Sequence, residues 1–191
     1  MFAHKQTLAK GFTLIELIIG IVVFAVALSL FASLIKPLAT RSVEPILQVK
    51  AAELAQSLMN EIFAKSFDQQ SNRSGGLVRC NELANPCTTS NNLGPDNESR
   101  DSYNDVDDYH GLDQSGIAIL DANANVIEID GQSFYAGFRA QVRVYYDDNM
   151  DGIDDAIAGG SAYIGNTKLI QITIITPNGE PIIFTGLRSN Y

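Results

Sequence analysis

The feature that most limits how this chain can fold is an uncharged apolar run near its start. Residues 17–35 form 19 consecutive positions without a charged side chain. As an α-helix rising about 1.5 Å per residue they would extend for about 28 Å, close to the roughly 30 Å of a membrane's hydrocarbon core. A cleaved secretory signal would have a shorter apolar stretch followed by a small-residue cleavage site. The run therefore predicts a membrane-spanning helix.

Glu16 stands at the N-terminal edge of this run. An ionised carboxylate costs about 2.5 kcal/mol or more at the centre of a membrane helix, and less near the interface. Glu16 is therefore either an interfacial acid that reaches water or takes up a proton, or a charge kept for a partner cation. Cleavage after Gly11 would create such a cation, because it would leave an ammonium group on Phe12.

Residues 10–17, with the sequence KGFTLIEL, resemble the processing signal of type IV prepilins and pseudopilins. The resemblance rests on the basic leader, the Gly, the Phe, the Glu and the long apolar helix. It implies that a prepilin peptidase cuts after Gly11 and that Phe12 becomes N-methylated. It also implies that Glu16 pairs with a neighbour's N-terminus during assembly. The location would be the inner membrane, with one span and a periplasmic C-terminal domain, and then the pilus at the cell surface.

Later segments narrow the resemblance to the D-type minor prepilins of the mannose-sensitive haemagglutinin (MSHA) pilus. They are RSVEP at 41–45, AAEL at 51–54, LMNEI at 58–62, SGGLVRC at 74–80 and DVDDYHG at 105–111. The implied role is a minor structural subunit of a pilus used in surface attachment. Its partners would be other pilin subunits through helix 1, the prepilin peptidase, the inner-membrane assembly platform and the membrane. A type II secretion pseudopilin is the nearest alternative, and a membrane-tethered periplasmic enzyme or binding protein is another.

Beyond the anchor, periodicity predicts an α+β protein in which one long N-terminal helix packs on a C-terminal antiparallel β-sheet, and this is the pilin fold that the resemblance implies. Apolar side chains at 47, 51, 54, 58 and 62 form one helical face. Residues 138–146 alternate like a half-buried strand, and 169–176 and 181–187 flank a Pro-Asn-Gly turn. Two shorter runs, 117–120 and 126–129, predict a further hairpin.

These patterns divide the chain into five parts. They are a leader at 1–11, the transmembrane half of helix 1 at 12–35, its amphipathic periplasmic half at 36–67, a long loop at 68–115 and the sheet domain at 116–191. Pro37 and Pro45 are expected to kink or interrupt the helix, because each removes a backbone donor.

The charge balance argues against nucleic acid as a partner. The chain has 13 basic and 22 acidic side chains, for a net charge of −9, whereas phosphate contacts need a basic patch. Enzyme signatures are also missing. The sequence has two histidines and contains no H-E-x-x-H, no phosphate-cradling Gly loop and no C-x-x-C. We therefore expect a structural protein that requires no cofactor.

Cys80 and Cys87 are the only cysteines, and they lie in a loop-like stretch. In a reducing cytosol such a pair is more often reduced or metal-linked, whereas in an oxidising compartment it forms a disulfide. Two thiols alone do not complete a tetrahedral zinc site. The periplasmic location implied by the resemblance favours the disulfide.

Residues 147–155 fit the spacing D-x-N-x-D-G-x-x-D of a calcium-binding loop. The candidate ligands are side-chain oxygens of Asp147, Asn149, Asp151 and Asp155 and the carbonyl oxygen of Ile153. The twelfth loop position is Ala158 rather than Glu, so the segment is not an EF-hand. The choice is between an EF-like loop that holds Ca²⁺ and an acidic turn between two strands.

A second acidic run contains Asp105, Asp107, Asp108, Tyr109 and His110. It predicts either a metal site or a capped turn on a solvated surface. The solvated turn is favoured, because clusters of acidic residues usually face water.

Overall fold

The computed structural model describes residues 11, 13–71, 78–82 and 85–190, with the backbone alone for 34–43. Of the predicted leader it describes Gly11 alone, and Phe12 lies outside the described residues. The chain divides into two units, 1–45 and 46–191. Helix α1, Leu14–Phe63, contributes residues to both. An apolar N-terminal helix and a C-terminal antiparallel sheet confirm the predicted α+β class.

In the first unit, α1 begins directly after Thr13. The Thr13 carbonyl accepts the Leu17 N–H at 3.2 Å, and its hydroxyl lies 3.4 Å from the Glu16 backbone nitrogen. Threonine is a favoured residue before a helix, because its side chain can satisfy a backbone donor of the first turn. The backbone is helical through both Pro37 and Pro45, so the predicted interruption of the helix is not observed.

In the second unit, α1 buries one apolar face against the sheet. The stripe predicted from periodicity is confirmed, because its members at 51, 54, 58 and 62 are almost fully buried. They join the inward side chains of the two central strands in one core: Ala140, Val142, Val144, Ile170, Ile172 and Ile174. Burial of these side chains is the main contribution to holding the helix on the sheet.

The main sheet has four antiparallel strands in the spatial order β1-β4-β5-β6. The strands in chain order are β1 (Asp113–Ser115), β2 (Glu128–Ile129), β3 (Gln132–Ser133), β4 (Arg139–Tyr146), β5 (Thr167–Ile175) and β6 (Pro181–Ser189). The predicted strand at 138–146 and the predicted hairpin at 169–187 correspond to β4 and to β5 with β6. The hairpin turn places Gly179 at φ 82°, a conformation that favours glycine.

The predicted hairpin of 117–120 and 126–129 is present only as a turn with one antiparallel bridge. Residues Gly116–Ala118 form a 3₁₀ turn instead, and a single bridge joins Leu120 to Val126. The Asp121 carboxylate accepts the backbone N–H groups of Asn123 and Asn125 at 2.9 and 2.8 Å. These donors are therefore satisfied by a side chain, as in other turns started by Asp. The small two-stranded sheet β2–β3 follows.

Helix α1 ends at Phe63, before the predicted end at 67. The N–H groups of Ala64 and Lys65 still bond back into the helix, and the pairing changes at Ser66. Ser66 N–H donates to the Asn104 carbonyl at 3.2 Å, and Val106 N–H donates to the Ser66 carbonyl at 3.0 Å. The segment predicted as a long loop is therefore fastened to the end of the helix. Its last residues form β1, so the sheet begins at Asp113 rather than at 116.

Candidate functional site

The N-terminal part of α1 exposes an apolar surface with one acid at its edge. Leu14–Ser33 is long and apolar enough to cross a membrane, with a mean hydropathy of 2.8 and none of it buried. It is the one such segment among the described residues. Glu16 lies in the first helical turn, between the exposed side chains of Ile15 and Leu17. Gly11, the predicted cleavage position, is exposed.

A basic leader, an apolar helix and an acid in its first turn form a recognisable processing signal. Residues 7–32 match the family model of the prokaryotic N-terminal methylation motif. The chain thus carries a type IV prepilin-like signal, which implies processing by a peptidase and association of the pilin type. The methylation motif marks structural subunits rather than enzymes. No curated protein and no solved structure matches the chain.

Behind the motif, a disulfide joins Cys80 to Cys87, with Cα atoms 4.7 Å apart. Both sulfur atoms are buried beside Phe67 and Tyr146. Asn190, which follows β6, donates from its side-chain nitrogen to the Cys80 carbonyl at 3.0 Å. The bridge therefore closes a short loop, and the Asn190 hydrogen bond links Cys80 to the end of β6. Asp68 lies within 4.8 Å of both sulfurs, but sulfur atoms in a disulfide are not available as thiolate metal ligands.

We expect the untreated protein to contain no reactive thiol. Replacing both cysteines with alanine should lower the free energy of unfolding by about 2–4 kcal/mol, because the unfolded chain then loses a covalent constraint. Thiol titration of the freshly unfolded protein and urea denaturation measure the two quantities. The cysteine-free variant is also the control for reductant. Reductant should shift the denaturation midpoint of the original protein and leave that of the variant unchanged. Two free thiols before reduction would contradict the bridge.

The predicted calcium loop is held together by its own carboxylates. Asp147 is fully buried, and its two oxygens accept the backbone N–H groups of Asp151 and Gly152 at 3.0 and 2.9 Å. Asp151 accepts the N–H of Ile153 at 2.8 Å. The Asp155 carboxylate accepts the N–H of Asp148 at 2.7 Å and so closes the two ends of the loop.

Asp148, which the sequence did not single out, connects this loop to the strand that follows. One of its oxygens accepts the N–H groups of Asn166 and Thr167 at 2.8 and 2.7 Å, and the other accepts the Tyr163 hydroxyl at 3.0 Å. In the described part of the chain, the carboxylate oxygens of Asp147, Asp151 and Asp155 do not all lie within 4.8 Å of one another. A bound Ca²⁺ would therefore have to draw them together.

Calcium at this loop remains a prediction. Millimolar Ca²⁺ should raise the melting temperature, because extracellular calcium modules bind at about 10⁻⁴–10⁻³ M. Asp151→Ala should remove the rise, whereas Asp130→Ala, an exposed acid in the β2–β3 turn, should keep it. Thermal denaturation with and without the cation makes the comparison. If calorimetric titration of the full chain detects no binding, the segment is an acidic turn.

The second acidic run is a capped turn, as expected, but the predicted solvated surface was wrong. Asp105, Asp107 and Asp108 are each 1% exposed. Asp105 accepts the backbone N–H of Asp108 at 3.2 Å, and Asp108 accepts those of Asn104 and Asp105 at 2.7 and 3.0 Å. The carboxylates are buried because this turn packs against the inward side of the sheet and does not face solvent.

Lys168, which is not among the predicted site residues, compensates this buried charge. Lys168, on the inward face of β5, is fully buried, and its Nζ lies 2.6 Å from the Asp107 carboxylate. It also donates to the Phe67 carbonyl at 2.7 Å and lies 3.4 Å from Asp68. We call Asp68, Asp105, Asp107 and Lys168 the buried ion cluster. It joins the chain after α1, the acidic turn and β5 at one point.

The buried ion cluster holds more acid than base. Burial, with the neighbouring Asp107 carboxylate next in importance, raises the pKa of Asp105 to about 8. Burial also raises the pKa of Asp108. Asp105 therefore keeps its proton at neutral pH, and its carboxyl group hydrogen-bonds to Asp107. These features indicate that the cluster has a structural role, in which it links the three segments.

Proposed function

We propose that this protein is a minor type IV pilin-like subunit of an MSHA-like pilus. The observation that carries the pilin-like role is the methylation motif at 7–32, followed by the exposed apolar helix with Glu16 in its first turn. The MSHA-like assignment rests on the later segments from RSVEP at 41–45 to DVDDYHG at 105–111. An exposed apolar helix of this length must be covered by lipid or by similar helices. A pilus subunit meets this requirement at both stages, because lipid surrounds the helix in the inner membrane and the helices of other subunits surround it in the fibre.

In this proposal a prepilin peptidase cuts after Gly11, and Phe12 becomes the methylated N-terminus. Glu16 then meets the Phe12 ammonium of a neighbouring subunit. A carboxylate in an apolar environment is costly without a partner charge, and a neighbour's N-terminus supplies one. The pairing would set the register between adjacent helices, because other positions would leave both charges unpaired.

The sheet-bearing unit, 46–191, would lie in the periplasm and later on the fibre surface. The net charge of −9 over the whole chain and the disulfide are both typical of an exported, soluble surface. The assembly platform of the inner membrane and other pilin subunits would be the partners. Surface attachment is the role expected of such a fibre, and calcium, if bound, would stabilise the exposed domain.

The test is to recover sheared surface fibres and to analyse this protein in them. Mass spectrometry should find a chain that begins at N-methylated Phe12. Glu16→Ala should still be inserted and cleaved but should enter fibres several-fold less, because its partner ammonium would lose the counter-charge. Glu44→Ala removes an exposed acid from the same helix outside the apolar segment and serves as the matched control. Full-length chains in fibres, or normal entry of the Glu16 variant, would contradict the proposal.

Deletion of the protein separates a pilus subunit from a secretion pseudopilin. Loss or shortening of surface fibres with normal protein secretion supports the pilus. Accumulation of secreted proteins in the periplasm with normal fibres supports the type II secretion system instead.

A further inference from the structure

Strand β6 forms one edge of the main sheet and is long for an edge. It runs from Pro181 to Ser189 and pairs with β5 along its length. On its other side, no backbone hydrogen bond reaches it from any residue that the structure describes. An edge of this kind presents unpaired N–H and C=O groups to any strand that can approach.

The register shows which backbone groups of β6 are free. Thr176 N–H donates to the Glu180 carbonyl and Asn190 N–H to the Asn166 carbonyl, both at 2.9 Å. In an antiparallel ladder, hydrogen-bonded pairs alternate with pairs that are not bonded to each other. Even-numbered residues of β6 therefore bond to β5, and odd-numbered ones point their backbone groups outward. The outward groups belong to Ile183, Thr185, Leu187 and Ser189, and to the carbonyl of Pro181.

The side chains leave this edge unprotected. Ile183 is 58% exposed and Leu187 is 42% exposed, and both lie on the sheet face turned away from α1. Residues 181–187 contain no charged side chain. Edge strands are usually blunted by inward charges, lysines, prolines or bulges. Here Pro181 is at the first position, where its missing N–H costs no bond to β5.

The charges at the ends of β6 make the strand complementary to itself. Glu180 precedes the strand and Arg188 lies near its end. Within the described residues neither side chain has an ion-pair partner, and the buried Nε of Arg188 has no hydrogen-bond acceptor. Both side chains lie on the same face, because residues an even number apart along a strand do so.

We propose that β6 pairs with β6 of a second copy of this chain, antiparallel and centred on Thr185. In this register Ile183 faces Leu187 of the second copy, and their outward backbone groups form the ladder. Arg188 lies diagonally across from Glu180 of the second copy, a separation that long side chains span. The two sheets become one continuous sheet. The contact is isologous, so it closes at two copies and does not propagate.

Disulfide trapping tests the register. In the proposed dimer the two Thr185 Cα atoms form a hydrogen-bonded pair about 5.5 Å apart, within the range that a disulfide bridges. The full-length Thr185→Cys protein in detergent should therefore give a covalent dimer under mild oxidation. Thr173→Cys is the matched control, because Thr173 lies on the same sheet face but on β5, inside the sheet. Equal cross-linking of the two variants, or none for either, overturns the proposal.

Substitutions at the edge test the interaction without disturbing the monomer. Thr185→Pro removes an N–H that points away from β5, so the native ladder stays intact while the dimer loses hydrogen bonds. The dissociation constant should rise by about tenfold or more, measured by light scattering across a concentration series. Glu180→Arg should also weaken the dimer, and Glu180→Arg with Arg188→Glu should restore it. A purely monomeric original protein, or a double variant as weak as the single one, overturns the proposal. Neither experiment depends on processing or fibre entry.

Discussion

Replacing Lys168 with methionine should lower the free energy of unfolding of the sheet-bearing unit by about 3–5 kcal/mol. The substitution keeps the length of the side chain but removes the ammonium group that lies 2.6 Å from Asp107. Asp68 and Asp107 would then be buried without a counter-charge, and breaking a buried pair in this way is strongly destabilising. The Phe67 carbonyl would lose its donor as well.

Urea denaturation of the full-length protein in detergent, followed by near-UV circular dichroism of the tyrosines, measures this loss. The control is Arg143→Met on the adjacent strand, where the side chain is 59% exposed and 3.4 Å from Asp154. An exposed pair of this kind contributes about 0–1 kcal/mol. Adding Asp107→Asn to the Lys168 variant should recover part of the lost stability. Similar losses for the Lys168 and Arg143 variants would show that the buried ion cluster is unimportant.

Asp105→Asn should stabilise the protein increasingly as pH rises, with the gain complete above pH 8. Asparagine cannot ionise, but it can still accept the Asp108 N–H and donate to Asp107. The groups around Asp105 are Asp107 and Asp108 of the acidic turn, Lys168 of β5 and, more distantly, Tyr146 of β4. With more acid than base around it, an ionised Asp105 is unfavourable in the folded state.

The direction of this pH dependence follows from the raised pKa of Asp105. A carboxyl group with a pKa of about 8 in the folded protein and about 3.9 when unfolded binds its proton more tightly in the folded state. Its contribution to stability is full below about pH 4 and is lost as pH rises to 8. Unfolding curves at pH 5, 7 and 9 should therefore separate the variant from the original protein progressively.

Asp113→Asn is the control of opposite sign. The hydrogen bond from Arg139 lowers the pKa of Asp113, so its contribution is present at neutral pH and is lost as pH falls through the folded-state pKa. That variant should be slightly less stable than the original protein at pH 7 and converge with it in acid. The effect is small, because both side chains are partly exposed. A pH-independent difference for Asp105→Asn would contradict proton uptake by the buried ion cluster.

Much of the architecture could be predicted from local patterns. The apolar stripe of α1 and the alternation of β4 are periodic, and Pro-Asn-Gly specifies its own turn, so each was found from short windows of sequence. The run 117–120 was misinterpreted as a strand, because four apolar residues have no distinctive period. The Asp121 carboxylate then accepts the N–H groups of Asn123 and Asn125, which a longer hairpin would have used. The end of α1 was misplaced for a related reason, since Ser66 pairs with residues about forty positions away.

The buried ion cluster could not be predicted in the same way. Whether Asp105 and Asp107 face water or the core depends on Lys168, which is distant in sequence and lies on the otherwise apolar inward face of β5. One signal was present: position 168 shares its strand face with Ile170, Ile172 and Ile174. A lysine at the end of a buried face requires an acid. The sequence indicates that requirement but not which acid meets it.

The buried ion cluster also limits how early during synthesis the sheet-bearing unit can fold. Synthesis runs from the N-terminus, so the membrane segment emerges first and Lys168 emerges near the end. Its contact with the Phe67 carbonyl spans 101 residues. Until β5 appears, Asp68 and Asp107 have no cation to accompany them into the core, and they stay hydrated. The core of the sheet-bearing unit therefore cannot be completed until β5 has emerged, long after the apolar segment of α1. Until then its apolar strand segments are exposed and are prone to premature association.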